Sequence, residues 1–146
     1  MIGLLQRVSS ASVTVDKQQI ASINQGLLVL VGVEPNDSKV QAERLLQRLL
    51  GYRVFEDTNG KMNLSLQDIE GGLLLVPQFT LAANTQKGMR PSFTSAASPV
   101  LGETLFDYLC LQARTQHHDV ATGQFSANMQ VSLVNTGPAT FWLQVP

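Results

Sequence analysis

Leu27-Leu28-Val29-Leu30-Val31-Gly32-Val33 is an unbroken apolar run, and its reading decides the fold class. It is far too short for a membrane helix, which needs about 20 apolar residues. A Val-rich run of this length reads as a strand buried on both faces, and therefore as the central strand of a sheet. Asn24-Gln25-Gly26 before it reads as a turn, and Glu34-Pro35-Asn36-Asp37 after it as a loop. Leu73-Leu74-Leu75-Val76 is a second buried run.

Outward from this centre, residues 4–15 are rich in Val and Ser and read as a strand. A helix begins at Ser38, which forms a capping-box pattern with Gln41. Val40, Leu45, Leu46, Leu49 and Leu50 follow at near-helical spacing, and Gly51 suits the stop. Residues 52–55 read as a strand and Thr58-Asn59-Gly60 as a turn. A second helix is expected over 99–116, with Leu101, Leu105, Tyr108 and Leu109 on one face. Residues 120–123, 129–135 and 139–145 read as strands, with Gly137-Pro138 breaking the last two apart. No linker or repeat divides the chain, so residues 1–146 form one domain. The expected fold is α/β, a curved, barrel-like sheet with two packed helices.

The 146 residues suffice for a hydrophobic core without metal or disulfide support. Charged residues make up 14%, against a usual value of about 25%. Net charge is −1, so a general basic excess, the common mark of nucleic-acid binding, is absent. The distribution says more. Between Gly71 and Gly102 the only charged residues are Lys87 and Arg90, and none follows Asp119. So uncharged a tail is expected to be buried, in the core or against a second subunit. The lone Cys110 excludes an intrachain disulfide, fits a reducing cytosol and reads as a small packed hydrophobe. Neither a signal peptide nor a membrane span is legible, so a cytoplasmic protein is expected.

Four segments could carry chemistry. Pro77-Gln78-Phe79-Thr80 ends a buried strand and offers a hydroxyl and an amide to a substrate; taken alone, a locally bonded Thr is the better reading. Lys87-Gly88-Met89-Arg90-Pro91-Ser92-Phe93 has two cations and no acid. It could hold a phosphate or the end of a tRNA, at even odds with an ordinary solvated loop. Residues 123–129 place small side chains between Phe125 and Met129, which could leave room for a ligand; taken alone, core packing with a β-bulge is the better reading. Asn135-Thr136-Gly137-Pro138-Ala139-Thr140 reads by itself as a hairpin turn. The only histidines, His117 and His118, sit at a helix end, and no Asp or Ser stands in a triad context. No metal-ligand spacing or Gly-rich phosphate loop occurs, so neither metal nor cofactor is expected.

Together these segments resemble the D-aminoacyl-tRNA deacylase family of bacterial type, also called D-tyrosyl-tRNA deacylases. The resemblance runs nearly end to end through Leu5-Gln6-Arg7-Val8, Phe55-Glu56-Asp57 and Gly60-Lys61-Met62-Asn63-Leu64. It continues through Gln78-Phe79-Thr80-Leu81, Gly88-Met89-Arg90-Pro91-Ser92-Phe93, Thr122-Gly123-Gln124-Phe125, and Gly137-Pro138 followed by Thr140. It implies a homodimer with sites at the interface, hydrolysing the ester of D-aminoacyl-tRNA and extending to mischarged glycyl-tRNA. DNA and membranes are not implied partners. It further implies that Gly137-Pro138 is a cis pair that enters the partner's site and reads the chiral centre, held in place by Arg7. Gln78, Phe79 and Thr80 would form the catalytic segment, Phe125 and Met129 would line the pocket, and Lys87 and Arg90 would contact tRNA. The chain departs from the family pattern at Pro77, where Ser is common, at Ser126, where Gly is common, and at Thr136, where Asp is frequent. Two other classes stand beside this one: a non-catalytic tRNA-binding module, and a small-molecule esterase with Thr80 as nucleophile.

Overall fold

The computed structural model describes all residues, Met1–Pro146. The elements run β1 (Ile2–Val15), β2 (Gln18–Ile23), β3 (Gly26–Gly32), α1 (Lys39–Gly51), β4 (Phe55–Glu56) and β5 (Met62–Leu64). They continue with α2 (Leu66–Ile69), β6 (Gly72–Pro77), a one-turn 3-10 helix (Phe79–Ala82), α3 (Pro99–Gln116), β7 (Val120–Thr122) and β8 (Met129–Gln144). The main sheet has the order β2-β1-β3-β6-β7, with β8 along the other side of β1. Strands β3, β6 and β7 are parallel, and the other pairings within this sheet are antiparallel. The result is an α/β fold with a barrel-like sheet and three helices, one more than the sequence reading expected.

β3 sends alternate side chains into two cores. Leu27, Val29 and Val31 join the core that also holds Leu45, Leu46 and Leu49 of α1 and Leu105 and Leu109 of α3. Leu28 joins a second cluster with Val8, Val13, Leu74 and Val76 inside the curl of the sheet. Both faces of the strand are covered, which is why its sequence shows no alternation. At the start of the strand Gly26 lies against Gly72, so close that an added Cβ would strike the Gly72 carbonyl; two glycines meet where only glycines fit.

α1 begins as expected. The Ser38 hydroxyl accepts from Val40 N at 3.3 Å, and the Gln41 side chain accepts from Ser38 N at 2.8 Å. α2 is too short for helical periodicity, but Ser65 and Asp68 form a second capping box that the sequence did display. The expected strand over 52–55 shrinks to Phe55 and Glu56, because the Val54 carbonyl accepts a bond from Arg7 Nη1 at 2.7 Å instead of joining a ladder.

The break expected at Gly137-Pro138 is corrected by the register. β8 is one strand, and both its halves pair with β1 in the same sense. Val8 pairs with Asn135 and Gln6 with Thr140. Thr136, Gly137, Pro138 and Ala139 thus stand opposite the single residue Arg7. A hairpin would reverse the chain; here the excess residues bulge out and the ladder resumes. A proline is tolerated because the bulge asks no ladder bond of it.

The only ion pairs are those of the Met1 α-ammonium. It donates to Glu34 Oε2 at 2.9 Å, Asp37 Oδ1 at 2.8 Å and the Val145 carbonyl at 2.8 Å. Three acceptors surround a buried cation and tie β1, the loop after β3 and the end of the chain together. Asp37 also accepts from Glu34 N at 2.7 Å. Asp37→Asn should therefore lower unfolding free energy by about 1.5–3 kcal/mol, the range for a charge-assisted bond. Urea denaturation measures it, and a change within 0.5 kcal/mol would assign the clamp to Glu34 and Val145 alone.

Candidate active site

The parallel strands β3, β6 and β7 end together, and a crevice beyond the carboxyl ends of such strands is the usual ligand position in open α/β sheets. Two adjoining hollows lie there. One, of about 180 Å³, is lined by Val31, Val33, Pro77, Phe106 and Phe125 among others. The second, of about 340 Å³, is bounded by Val76, Phe125, Asn128 and Met129. Gln78 and Phe79 line both. The structure thus brings together Gln78, Phe79, Phe125 and Met129, with Thr80 beside them.

Gln78 precedes the 3-10 turn, and its Nε2 donates to the Thr80 hydroxyl oxygen. That bond gives Thr80 a donor and not a base. The first turn of a helix leaves N–H groups without intrahelical acceptors, here those of Phe79 and Thr80. Met129 Sδ accepts from Gln124 N at 3.4 Å and packs under Gly123, where an added Cβ would meet it at 2.9 Å. Ser126 has φ +62, a left-handed conformation that suits glycine, so glycine at this position is the cheaper choice for the backbone.

Arg7, Gly137 and Pro138 lie at the other end of the sheet. Arg7 pairs with Leu27 at the start of β3, whereas Pro77 pairs with Val31 near its end. Four residues of strand separate the two levels, about 13 Å along the strand direction. The Arg7 guanidinium is buried; Nε donates to the Thr136 carbonyl at 2.8 Å and Nη1 to the Val54 carbonyl. The Gly137-Pro138 bond is cis, and both residues are exposed. Asn135, to which the sequence reading gave no role, closes the bulge. Its Oδ1 accepts from Ala139 N at 2.7 Å, and its Nδ2 donates to Thr140 Oγ1 at 2.9 Å. The available signal was an Asn poised to bond backbone near a turn, which is common enough to pass unnoticed.

The remaining candidates are placed elsewhere. His117 is buried with Nε2 at 2.6 Å from the Gly71 carbonyl, at the amino end of β6. That is the far end of the strand from Gln78. Burial pushes the Cys110 thiol up to about 12, only partly opposed by Arg114, so it carries almost no thiolate near neutral pH. No group of three His, Cys, Asp or Glu side chains stands together as a metal site. No helix is long and apolar enough to cross a membrane.

Comparison with known proteins follows the same line. The family model described as D-Tyr-tRNA(Tyr) deacylase matches residues 4–144. This chain belongs to the D-Tyr-tRNA(Tyr) deacylase family. It is 64% identical to the D-aminoacyl-tRNA deacylase of Pseudomonas putida F1 over 145 residues, covering 99% of this chain and 100% of that one. It is 62% identical to the D-aminoacyl-tRNA deacylase of Thioalkalivibrio sulfidiphilus over 146 residues, covering 100% of this chain and 98% of that one. A solved structure named c-Myc DNA Unwinding Element Binding Protein matches with a TM-score of 0.95 and 36% identity, over 100% of this chain and 99% of that one. A second, described as a probable eukaryotic D-amino acid tRNA deacylase, shares the fold at a TM-score of 0.83 and 17% identity, over 97% and 98% of the two chains. The D-Tyr-tRNA(Tyr) deacylase family is thus matched across the segments that form both ends of the sheet.

The Arg7–bulge contact yields a test. Gly137 has φ +134, and an added Cβ would collide with Nη2 of the Arg7 guanidinium, which the bonds of Nε and Nη1 hold in place. Gly137→Ala should cost about 1–3 kcal/mol of stability through the strained backbone and the displaced guanidinium. Thr136→Ala, which keeps the bonded carbonyl, should stay within about 0.5 kcal/mol. Equal unfolding midpoints for the two variants would refute the assignment.

Proposed function

We infer that this chain hydrolyses the ester between a D-amino acid and the terminal adenosine of tRNA, releasing both. The observation that carries this reading is the full-length match to proteins named D-aminoacyl-tRNA deacylase, at up to 64% identity. The pocket at the strand ends supports it with polar groups but no base. Ester hydrolysis needs an oriented water and a stabilised oxyanion. The free N–H groups of Phe79 and Thr80 are the oxyanion donors, and Gln78 fixes the Thr80 hydroxyl between them. The only charged residues from Gly71 to Gly102 are cations, and His117 is bound at the opposite end of β6. The vicinal 2′-hydroxyl of the terminal ribose therefore positions or activates the water, which also accounts for a preference for RNA over DNA. Lys87 and Arg90 contact the tRNA.

Single-turnover hydrolysis of matched D- and L-aminoacyl-tRNA tests the reading. The D ester should be cleaved and the L ester spared; absent cleavage would leave only a binding module, and equal cleavage an esterase without chiral selection. Thr80→Ala should keep substantial activity. A nucleophile would instead lose on the order of 10⁴-fold or more. A D-aminoacyl ester on the 3′ position of a terminal 2′-deoxyadenosine should react far more slowly while binding stays within several-fold. An undiminished rate would return attention to Thr80.

The active unit is a homodimer in which Gly137 and Pro138 of one subunit complete the pocket of the other. Within one subunit the bulge and the pocket are about 13 Å apart along the sheet, so one chain cannot bring them together. β8 supports the same reading. It is an uncharged edge strand with Val134 and Trp142 exposed, and such edges invite pairing unless covered. The backbone of the bulge would occupy the space of an L side chain, rejecting it by exclusion. A pocket-blocking Phe125→Trp variant and a bulge variant carrying both Gly137→Ala and Pro138→Ala should each be nearly inactive. Mixed after dissociation, they should regain about a quarter of wild-type activity, since half the dimers would hold one intact composite site. No recovery, with mixed dimers shown by mass, would place the site within one chain.

A further inference from the structure

Beside the pocket mouth, an aromatic surface stands open. Phe79 is 59% exposed and Phe93 43%, and their ring centroids lie 5.2 Å apart at an interplanar angle of 50°. The rings thus support each other without sealing each other's faces. Between them in sequence, residues 84–92 form a small hairpin. Asn84 N donates to the Ser92 carbonyl at 2.7 Å and Ser92 N to the Asn84 carbonyl at 3.0 Å. Asn84 Oδ1 accepts from Gln86 N at 3.0 Å, and Gly88 makes the turn at φ +75. The tip carries Lys87, Met89, which is 100% exposed, and Arg90, and neither cation has an ion-pair partner.

Two phenyl rings and a methionine clustered at the surface beside two cations mark a contact site. The chemistry of its occupant is constrained: flat apolar groups to stack on the rings, and negative charge to meet two unopposed cations. Unpaired nucleotides have both. Phe79 also lines the pocket, so the surface is continuous with the place where the ester would lie.

We propose that Phe93, Phe79 and the Lys87–Arg90 tip form a stacking platform for the unpaired nucleotides that precede the terminal adenosine of the substrate. The proposal rests on the deacylase reading above and adds to it which surface receives the single-stranded 3′ end. Phenyl rings offer no hydrogen bonds, so the platform holds bases without reading their identity. It therefore serves many tRNAs, which share unpaired 3′ ends. Phe93 acts as a positioning residue and touches no reacting atom.

The test compares two substrates, D-aminoacyl-tRNA and a 3′-O-D-aminoacyl adenosine that has no preceding nucleotide. Phe93→Ala should raise KM for the tRNA about ten- to hundred-fold, the usual value of one base–aromatic stack, with kcat little changed. KM and kcat for the adenosine ester should not move. Phe93→Trp should restore the tRNA KM, which separates stacking from a folding defect. Lys87→Ala combined with Arg90→Ala should flatten the salt dependence of KM for the tRNA alone. Equal effects of Phe93→Ala on both substrates, or none on either, would overturn the platform. So would a change in oligomeric state with an unchanged tRNA KM, which would give the rings to a subunit contact. Failure of the wild-type protein to cleave either substrate would instead overturn the deacylase reading itself.

Discussion

Arg7 is the constraint on which the rest of the arrangement hangs. Where β1 meets β8, four residues of one strand face one residue of the other. Without a donor at this mismatch, the Thr136 carbonyl of the bulge and the buried Val54 carbonyl would lose their partners, at a cost on the order of 1–3 kcal/mol each where buried. The guanidinium meets that need from below, with one nitrogen on Thr136 and another on Val54. Asn135 closes the bulge from the side. The exposed Gly137-Pro138 pair is then a rigid projection from a continuous sheet and not a flexible loop tip. The same contact explains why strand pairing after α1 begins only at Phe55, in the separate two-stranded β4–β5 sheet, since the Val54 carbonyl is already engaged.

That geometry has a consequence for the whole molecule. The stiff projection and the polar pocket are built at opposite ends of the parallel strands, each by local contacts that suffice on their own. The homodimer proposed above would draw the two from different copies, and the uncharged length of β8 would supply a surface that tolerates burial. In that proposed dimer an isologous contact would place each bulge at the other subunit's pocket and so generate two equivalent sites.

Much of the fold was legible in the sequence because its signals are local. The apolar run of β3, the Ser38–Gln41 capping box and the Leu stripe of α3 each report a physical requirement within a few residues. The misreadings arose where the deciding partner was distant. Pro138 breaks a ladder only if the ladder needs its N–H, and nothing near it in sequence tells that Arg7 stands alone opposite. Residues 52–55 have strand-like composition, yet the Val54 carbonyl belongs to a side chain 47 residues away. The Phe79 turn looked like a strand end because one helical turn has no periodicity. The segments holding Gln78, Phe79, Thr80, Phe125 and Met129 were picked out by their side chains, but a structural reading of each was the better one until the family resemblance joined them.

The reason for that last gap lies in the chemistry. A site built on an activated nucleophile leaves a trace in sequence, because the nucleophile, its base and the base's partner must be particular side chains. A site that stabilises an oxyanion with backbone N–H groups requires only that the backbone turn in the right place, and many sequences make a 3-10 turn. The chiral exclusion proposed for the bulge would be equally silent; it would ask only for a glycine with φ +134 and an arginine beneath it. A site of the kind proposed relies on rigidity instead of reactivity and would leave the remaining chemistry to the substrate's own hydroxyl. The side chains that do matter, Arg7 and Asn135, act by holding backbone still. In the proposed reaction their effect would therefore pass through the geometry of the bulge, so that a loss of bulge stability and a loss of chiral selection would go together.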